Sequence, residues 1–217
     1  MDFKTARRRM VDSQVRTNDV TDLRLQAALE TVPREVFLPA DLRDQAYVER
    51  ELPFAPGRSL MTVRDFAKLA AAAKPKAGEL CLSVASGTGY ATAVLAQLVE
   101  MVVAVETDEA LAASAQENLT RIGVANAAVL ASDSAKGAAG QGPFDLIFID
   151  GVIETRPDAL LAQLKDDGRL AAIMRRGGIS RGVLYSRAGD ATACSEKFDA
   201  SAKMVLPGFA AEKSFVF

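Results

Sequence analysis

The apolar positions of this chain fall into two alternating patterns. Leu80–Val84, Met101–Val105, Ala127–Ala131, Phe144–Asp150 and Arg169–Met174 are short, mostly unbroken apolar runs, the composition of strands buried on both faces. The segments between them show helical spacing instead. From Tyr90 an Ala-rich stretch places Val94, Leu95 and Leu98 on one side; Leu111, Ala115, Leu119 and Ile122 form the next apolar face. There Asp108 and Glu109 sit in the first turn and Gly123 closes the helix. Pro157 to Leu164 reads as a short helix stopped by Gly168. Strand and helix in alternation predict an α/β fold, a mostly parallel sheet with helices on both faces.

The flanks follow other patterns. Residues 1–30 read as helical, with Met10, Val11 and Val15 on one face and Leu23, Leu25, Ala28 and Leu29 on another. Thr31–Pro39 is a proline-bounded connection, Tyr47–Pro56 an extended, loop-like stretch, and Val63–Ala73 a helix with Phe66, Leu69 and Ala70 on one side. Residues 1–75 are expected to form a helical cap against one edge of the sheet, and 76–217 the core of a single domain. After Gly177 the helical period ends. Val183–Ser186, Lys203–Leu206 and Ser214–Phe217 are expected to be antiparallel strands finishing the sheet, with Phe215 and Phe217 facing the core.

The chemistry concentrates where the first apolar run stops. Ala85-Ser86-Gly87-Thr88-Gly89 supplies small residues between a strand and a helix. Gly87 and Gly89 can take positive φ and admit a ligand close to the backbone. The next run ends in Glu106, placed to accept hydrogen bonds from both hydroxyls of a ribose, or simply to begin a solvated turn with Thr107-Asp108-Glu109. The combination points to a nucleoside cofactor. Thr92 occupies the place of the third glycine of the dinucleotide fingerprint, which disfavours NAD. Asp150 ends the fourth run where ligands bind in open α/β sheets, or else caps the following turn.

Composition narrows the class. The chain has 217 residues, enough for one sizeable domain, and a net charge of −2 with no basic stripe, which gives no case for nucleic acid. There is no histidine, which removes Ser-His-Asp and Cys-His hydrolases and most zinc enzymes. Cys81 and Cys194 make neither a disulfide framework nor a metal site, so a reducing cytoplasm is expected. No signal peptide or membrane span is evident, and Arg7-Arg8-Arg9 reads as a solvated helix face.

In this order the landmarks resemble the protein-L-isoaspartate O-methyltransferases over nearly the whole chain. Val32-Pro33-Arg34-Glu35-Val36-Phe37-Leu38-Pro39 is similar to that family's VPRE-x-F-V-P segment, and Ala46-Tyr47 with Leu52-Pro53 to its AY…LP segment. Ser83–Tyr90 falls on its E-I-G-T-G-S-G-Y, and Gly168-Arg169-Leu170 on its GGRLV strand start. The resemblance implies a Rossmann-like S-adenosylmethionine-dependent fold, with S-adenosylhomocysteine as product. It also implies action on isoaspartyl-containing peptides or proteins. The cofactor-binding residues it implies are Ser83, Ala85, Ser86, Gly87, Gly89, Glu106, Thr107, Asp133, Ser134 and Asp150, with Glu106 on the ribose and Asp133 near the adenine.

The departures fall on the same site. Met61 stands where the family carries the serine that holds the substrate carboxylate, with Ser59 and Thr62 as the nearest hydroxyls and candidate catalytic residues. Ser83 replaces the strand-end acid, Ala85 the first glycine, and Ser134 the glycine of the D-G motif. Three readings follow: a carboxyl methyltransferase that repairs altered aspartyl residues, a pseudoenzyme with a binding or regulatory role, or a methyltransferase with a different acceptor. No metal is expected in any of them.

Overall fold

A computed structural model describes residues 2–212. The sheet is built from β3 (Leu80–Val84), β4 (Met101–Glu106), β5 (Ala127–Ala131), β6 (Phe144–Ile153), β7 (Leu164–Arg176), β8 (Ile179–Ala188) and β9 (Ala191–Ala200), in the order β5-β4-β3-β6-β7-β8-β9. The first five neighbours in that order pair in parallel; β8 and β9 close the sheet antiparallel. Order reverses between β3 and β6, which puts the carboxyl end of β3 at the switch point where open α/β sheets bind ligands.

Helices α4 (Tyr90–Ala96) and α5 (Glu109–Arg121) follow the first two parallel strands, and α6 (Asp158–Leu161) follows β6. Asp108 is the N-cap of α5 rather than part of its first turn, accepting from the Ala110 and Leu111 amides. Ahead of the sheet come α1 (Phe3–Met10), continued by a wide turn through Val15, α2 (Leu23–Thr31) and α3 (Val63–Ala73). The N-terminal helices do not sit at a sheet edge as expected. They pack on α3 and α4 over one face, because Met10, Leu25 and Leu29 share one apolar cluster with Phe66, Val94 and Phe148. The true edges are β5 and β9.

Four further expectations are corrected. The extended stretch Tyr47–Pro56 is not all loop: it holds β1 (Leu52–Ala55), which turns at Pro56-Gly57 and pairs with β2 (Arg58–Leu60) as a hairpin, and Gly57 takes φ +69°. Gly168 does not stop a helix. It lies inside β7, where a side chain would come within 2.8 Å of the Lys165 carbonyl oxygen and 3.0 Å of that of Phe144. The charged run Lys165-Asp166-Asp167 hid this early start of the strand. Strand β9 went unrecognised because most of its residues face solvent and give no apolar alternation. Lys203–Leu206 is not a strand and contributes only a single bridge from Val205 to Val152; Ser214–Phe217, with Phe215 and Phe217, lies outside the described residues.

One polar group ties α3 to the segment that follows β9. Asp65, on α3 and fully buried, accepts hydrogen bonds from the Ser201 amide (2.7 Å), the Ser201 hydroxyl (2.7 Å) and the Ala202 amide (2.9 Å). Among the described residues no helix is long and apolar enough to cross a membrane.

Candidate active site

The turn after β3 adopts a backbone that only small residues tolerate. Ala85, Gly87 and Gly89 take φ of +57°, +55° and +100°. The alanine adopts the left-handed region at a cost of about 1 kcal/mol. At Gly89 the turn meets α5, and an added Cβ would lie 3.3 Å from that of Ala115. The Ser86 amide donates to the Val105 carbonyl oxygen (3.1 Å), which pins the turn to the end of β4.

Glu106 ends β4 directly beside this turn and is fully buried. The Gly87 amide donates to its Oε2 (2.8 Å) and the Asp108 amide to its Oε1 (3.2 Å). Its main partner is a residue sequence reasoning missed. Arg58 donates through Nη1 to Oε1 (2.7 Å) and through Nη2 to Oε2 (2.8 Å), a two-pronged buried ion pair. Nη2 also donates to the Ala85 carbonyl oxygen at 2.8 Å. Burial alone would raise the Glu106 carboxyl, but the hydrogen bonds and charge of Arg58, aided by the Asp108 and Gly87 amides, hold it below the usual carboxylate range.

The hairpin delivers Arg58 by simple alternation. Arg58 and Leu60 are buried and Ser59 between them is not, so Arg58 faces the glycine turn and Ser59 turns away from it. An arginine sharing a face with a buried leucine was the available signal. The pairing also skips a residue between Pro53 and Ala55, and this bulge aims Phe54 at Gly87. A Cβ on Gly87 would lie 2.5 Å from the Phe54 ring.

The other expected residues divide into two groups. Thr107 and Ser134 meet, the Ser134 amide donating to Thr107 Oγ1 at 2.9 Å. With Ala55, Pro56, Ala85 and Leu111 they line a cavity of about 400 Å³ beside the Arg58–Glu106 pair. The hydroxyls of Ser86 and Ser134 are buried without a partner among the described residues, as are those of Tyr90, Ser132 and Tyr185. Asp133 stays half-exposed, capping its own turn through the Ala135 amide (3.0 Å). Ser83 faces inward, where its Oγ accepts from the Thr92 hydroxyl at 3.0 Å.

The position of the family serine itself carries no hydroxyl. Met61 is 3% exposed within the apolar core, and its carbonyl oxygen accepts from Arg34 Nη2 at 2.6 Å. Thr62 caps α3, its Oγ1 accepting from the Asp65 amide at 3.1 Å. Asp150 stands at the carboxyl end of β6, where pairing with β7 slips between Phe148 and Val152. Burial pushes its carboxyl up to about 7, against the opposing charges of Arg58 and Arg34 and with Glu106 adding to the rise. No cluster of three potential metal-binding side chains occurs among the described residues.

Comparison with known proteins is consistent throughout. The family model described as Protein-L-isoaspartate(D-aspartate) O-methyltransferase (PCMT) matches residues 5–200. A protein-L-isoaspartate O-methyltransferase of Koribacter versatilis is 34% identical over 168 residues, covering 77% of this chain and 76% of the relative. One from Herpetosiphon aurantiacus is 37% identical over 170 residues, covering 78% and 76%. Among solved structures, a protein-L-isoaspartate O-methyltransferase superposes with a TM-score of 0.82 at 21% identity, over 93% of this chain and 67% of that one. A putative one from Plasmodium falciparum, in complex with S-adenosyl-L-homocysteine, superposes with a TM-score of 0.78 at 17% identity, over 92% and 98%.

Proposed function

As a member of the protein-L-isoaspartate(D-aspartate) O-methyltransferase family, this chain is by class an S-adenosylmethionine-dependent methyltransferase, and we propose that its acceptor is the free carboxylate of an isoaspartyl residue in a damaged protein. The observation that carries the reading is the glycine turn at the switch point with Glu106 at the end of the neighbouring strand. The cofactor would supply a methyl group on a good leaving group. The acceptor carboxylate is already ionised at neutral pH, so a chain without histidine needs only to hold it in line.

The residues fit an adenosyl group in part. The cavity and the unpartnered Ser134 hydroxyl that lines it suit its base end. The ribose end does not fit as it stands, because Arg58 holds both Glu106 oxygens and Phe54 covers Gly87. At the acceptor end, Ser59 is the candidate hydroxyl left outside a capping role, and Thr62 could act only by giving up its cap on α3. We place the reaction in the cytoplasm, in keeping with two free cysteines.

A second reading keeps the methyltransferase and changes the acceptor. It is favoured by Met61, buried where the family serine would stand. One assay separates the two: methyl transfer from labelled S-adenosylmethionine to an isoaspartyl peptide and to the aspartyl peptide of the same sequence. Base-labile ester on the isoaspartyl peptide alone supports the first reading. No ester on either peptide, in protein shown to bind S-adenosylhomocysteine, overturns it in favour of the second.

A further inference from the structure

A carboxylate offers about four lone-pair sites to hydrogen-bond donors. At Glu106 all four are taken: two by the Arg58 fork and one each by the Gly87 and Asp108 amides. A ribose diol presents two adjacent donors in much the same pattern as the guanidinium, so the two compete for one seat. The hairpin covers the turn a second time, with the Phe54 ring against the Gly87 backbone that a ligand would approach. The Arg58 guanidinium lies 5.8 Å from the centroid of that ring, so both side chains act from the same side.

The element carrying them is small. Its strands have four and three residues, and an isolated two-stranded hairpin of that size is marginal in water. It is anchored at its base, where Leu52 pairs with Leu60 and both are buried, while the turn at Pro56-Gly57 is free of that anchor. The cavity of about 400 Å³ opens beside it, lined in part by the hairpin's own Ala55 and Pro56.

We propose that this hairpin is a latch over the nucleoside seat. Without ligand, Arg58 occupies the ribose position on Glu106 and Phe54 occupies the face of the turn. Binding of an adenosine-containing ligand requires the hairpin to swing out, so that the ribose hydroxyls replace the guanidinium on the carboxylate. The inference rests on the nucleoside reading of the site given above. Its consequence is that ligand affinity is lowered by the fraction of molecules with the latch closed.

The test is calorimetric titration with S-adenosylhomocysteine of the wild type, Arg58→Gln and Glu106→Gln. It is joined by hydrogen exchange on residues 52–60 of the wild type with and without saturating ligand. The latch predicts at least tenfold tighter binding by Arg58→Gln, loss of binding by Glu106→Gln, and faster hairpin exchange in the complex. Wild type binding as tightly as Arg58→Gln, or a hairpin that exchanges more slowly when ligand is bound, overturns the latch and leaves the nucleoside site standing. No binding by either protein overturns both. The exchange measurement needs no variant, so a misfolded Arg58→Gln protein does not remove the test.

Discussion

The guanidinium carbon of Arg34 lies 4.6 Å from the centroid of the Tyr90 ring, in an interior where Arg34 is only 1% exposed. Nε donates to the Ala46 carbonyl oxygen (2.9 Å) and Nη2 to that of Met61 (2.6 Å). One side chain thus joins the N-terminal segment, the base of the hairpin and the helix that follows the glycine turn. Lysine keeps the charge but lacks the planar fork and the stacking face. Arg34→Lys is expected to destabilise by about 3 kcal/mol, the scale of one or two charged hydrogen bonds lost in the interior. Urea unfolding at neutral pH checks this, and a loss under 1 kcal/mol would show that the stack contributes little.

Asp150 gives the protein a pH dependence of definite sign. Its folded carboxyl is raised to about 7 from an unfolded value of 3.8. The folded state therefore binds more protons between those values, and stability falls as pH rises through that window. Asp150→Asn removes this fall. The variant should match the wild type below about pH 4 and exceed it above pH 7, by up to about 4 kcal/mol if the whole shift is expressed. Thermal melts at pH 4, 6 and 8 read the difference; parallel curves would mean the carboxyl is ionised throughout.

Thr62 has an assigned structural role that separates it from chemistry. Thr62→Ala should cost about 1 kcal/mol by losing the α3 N-cap, and Thr62→Ser should restore it. Initial rates on an isoaspartyl peptide, measured well below the melting temperature, should change little for either. A hundredfold loss of kcat in Thr62→Ala with a near-normal melt would make the hydroxyl catalytic after all.

Ala85 stores strain in the turn. Ala85→Gly relieves a φ of +57°, an effect of about 1 kcal/mol partly offset by the greater freedom of glycine in the unfolded chain. A small gain in stability is expected. A loss greater than 1 kcal/mol would show that the alanine methyl, 3% exposed, matters more to packing than its backbone strain costs.

The parallel half of the fold was legible because strands buried on both faces write themselves as unbroken apolar runs. All five begin and end within a few residues of where the runs do, except β7, whose charged start conceals it. The glycine turn and Glu106 were legible for a similar reason, since left-handed backbone restricts residue choice. Arg58 was not. Its partner lies 48 positions away, and a Gly-Arg-Ser turn looks like any solvated loop tip. Its neighbour Phe54 was hidden by a bulge, an irregularity of pairing that no local pattern encodes.

The three hydrogen bonds that Asp65 accepts from Ser201 and Ala202 also bear on how the molecule is made. They span 136 and 137 positions of the chain. During synthesis α3 is complete long before those donors exist, yet its buried carboxylate cannot be satisfied by them until the residues after β9 have emerged. A nascent chain halted ahead of Ser201 would carry an acid with one remaining partner, Arg64, at the centre of its forming interior. Closure of this core therefore waits on a contact of long sequence separation, a late step relative to the local formation of α3.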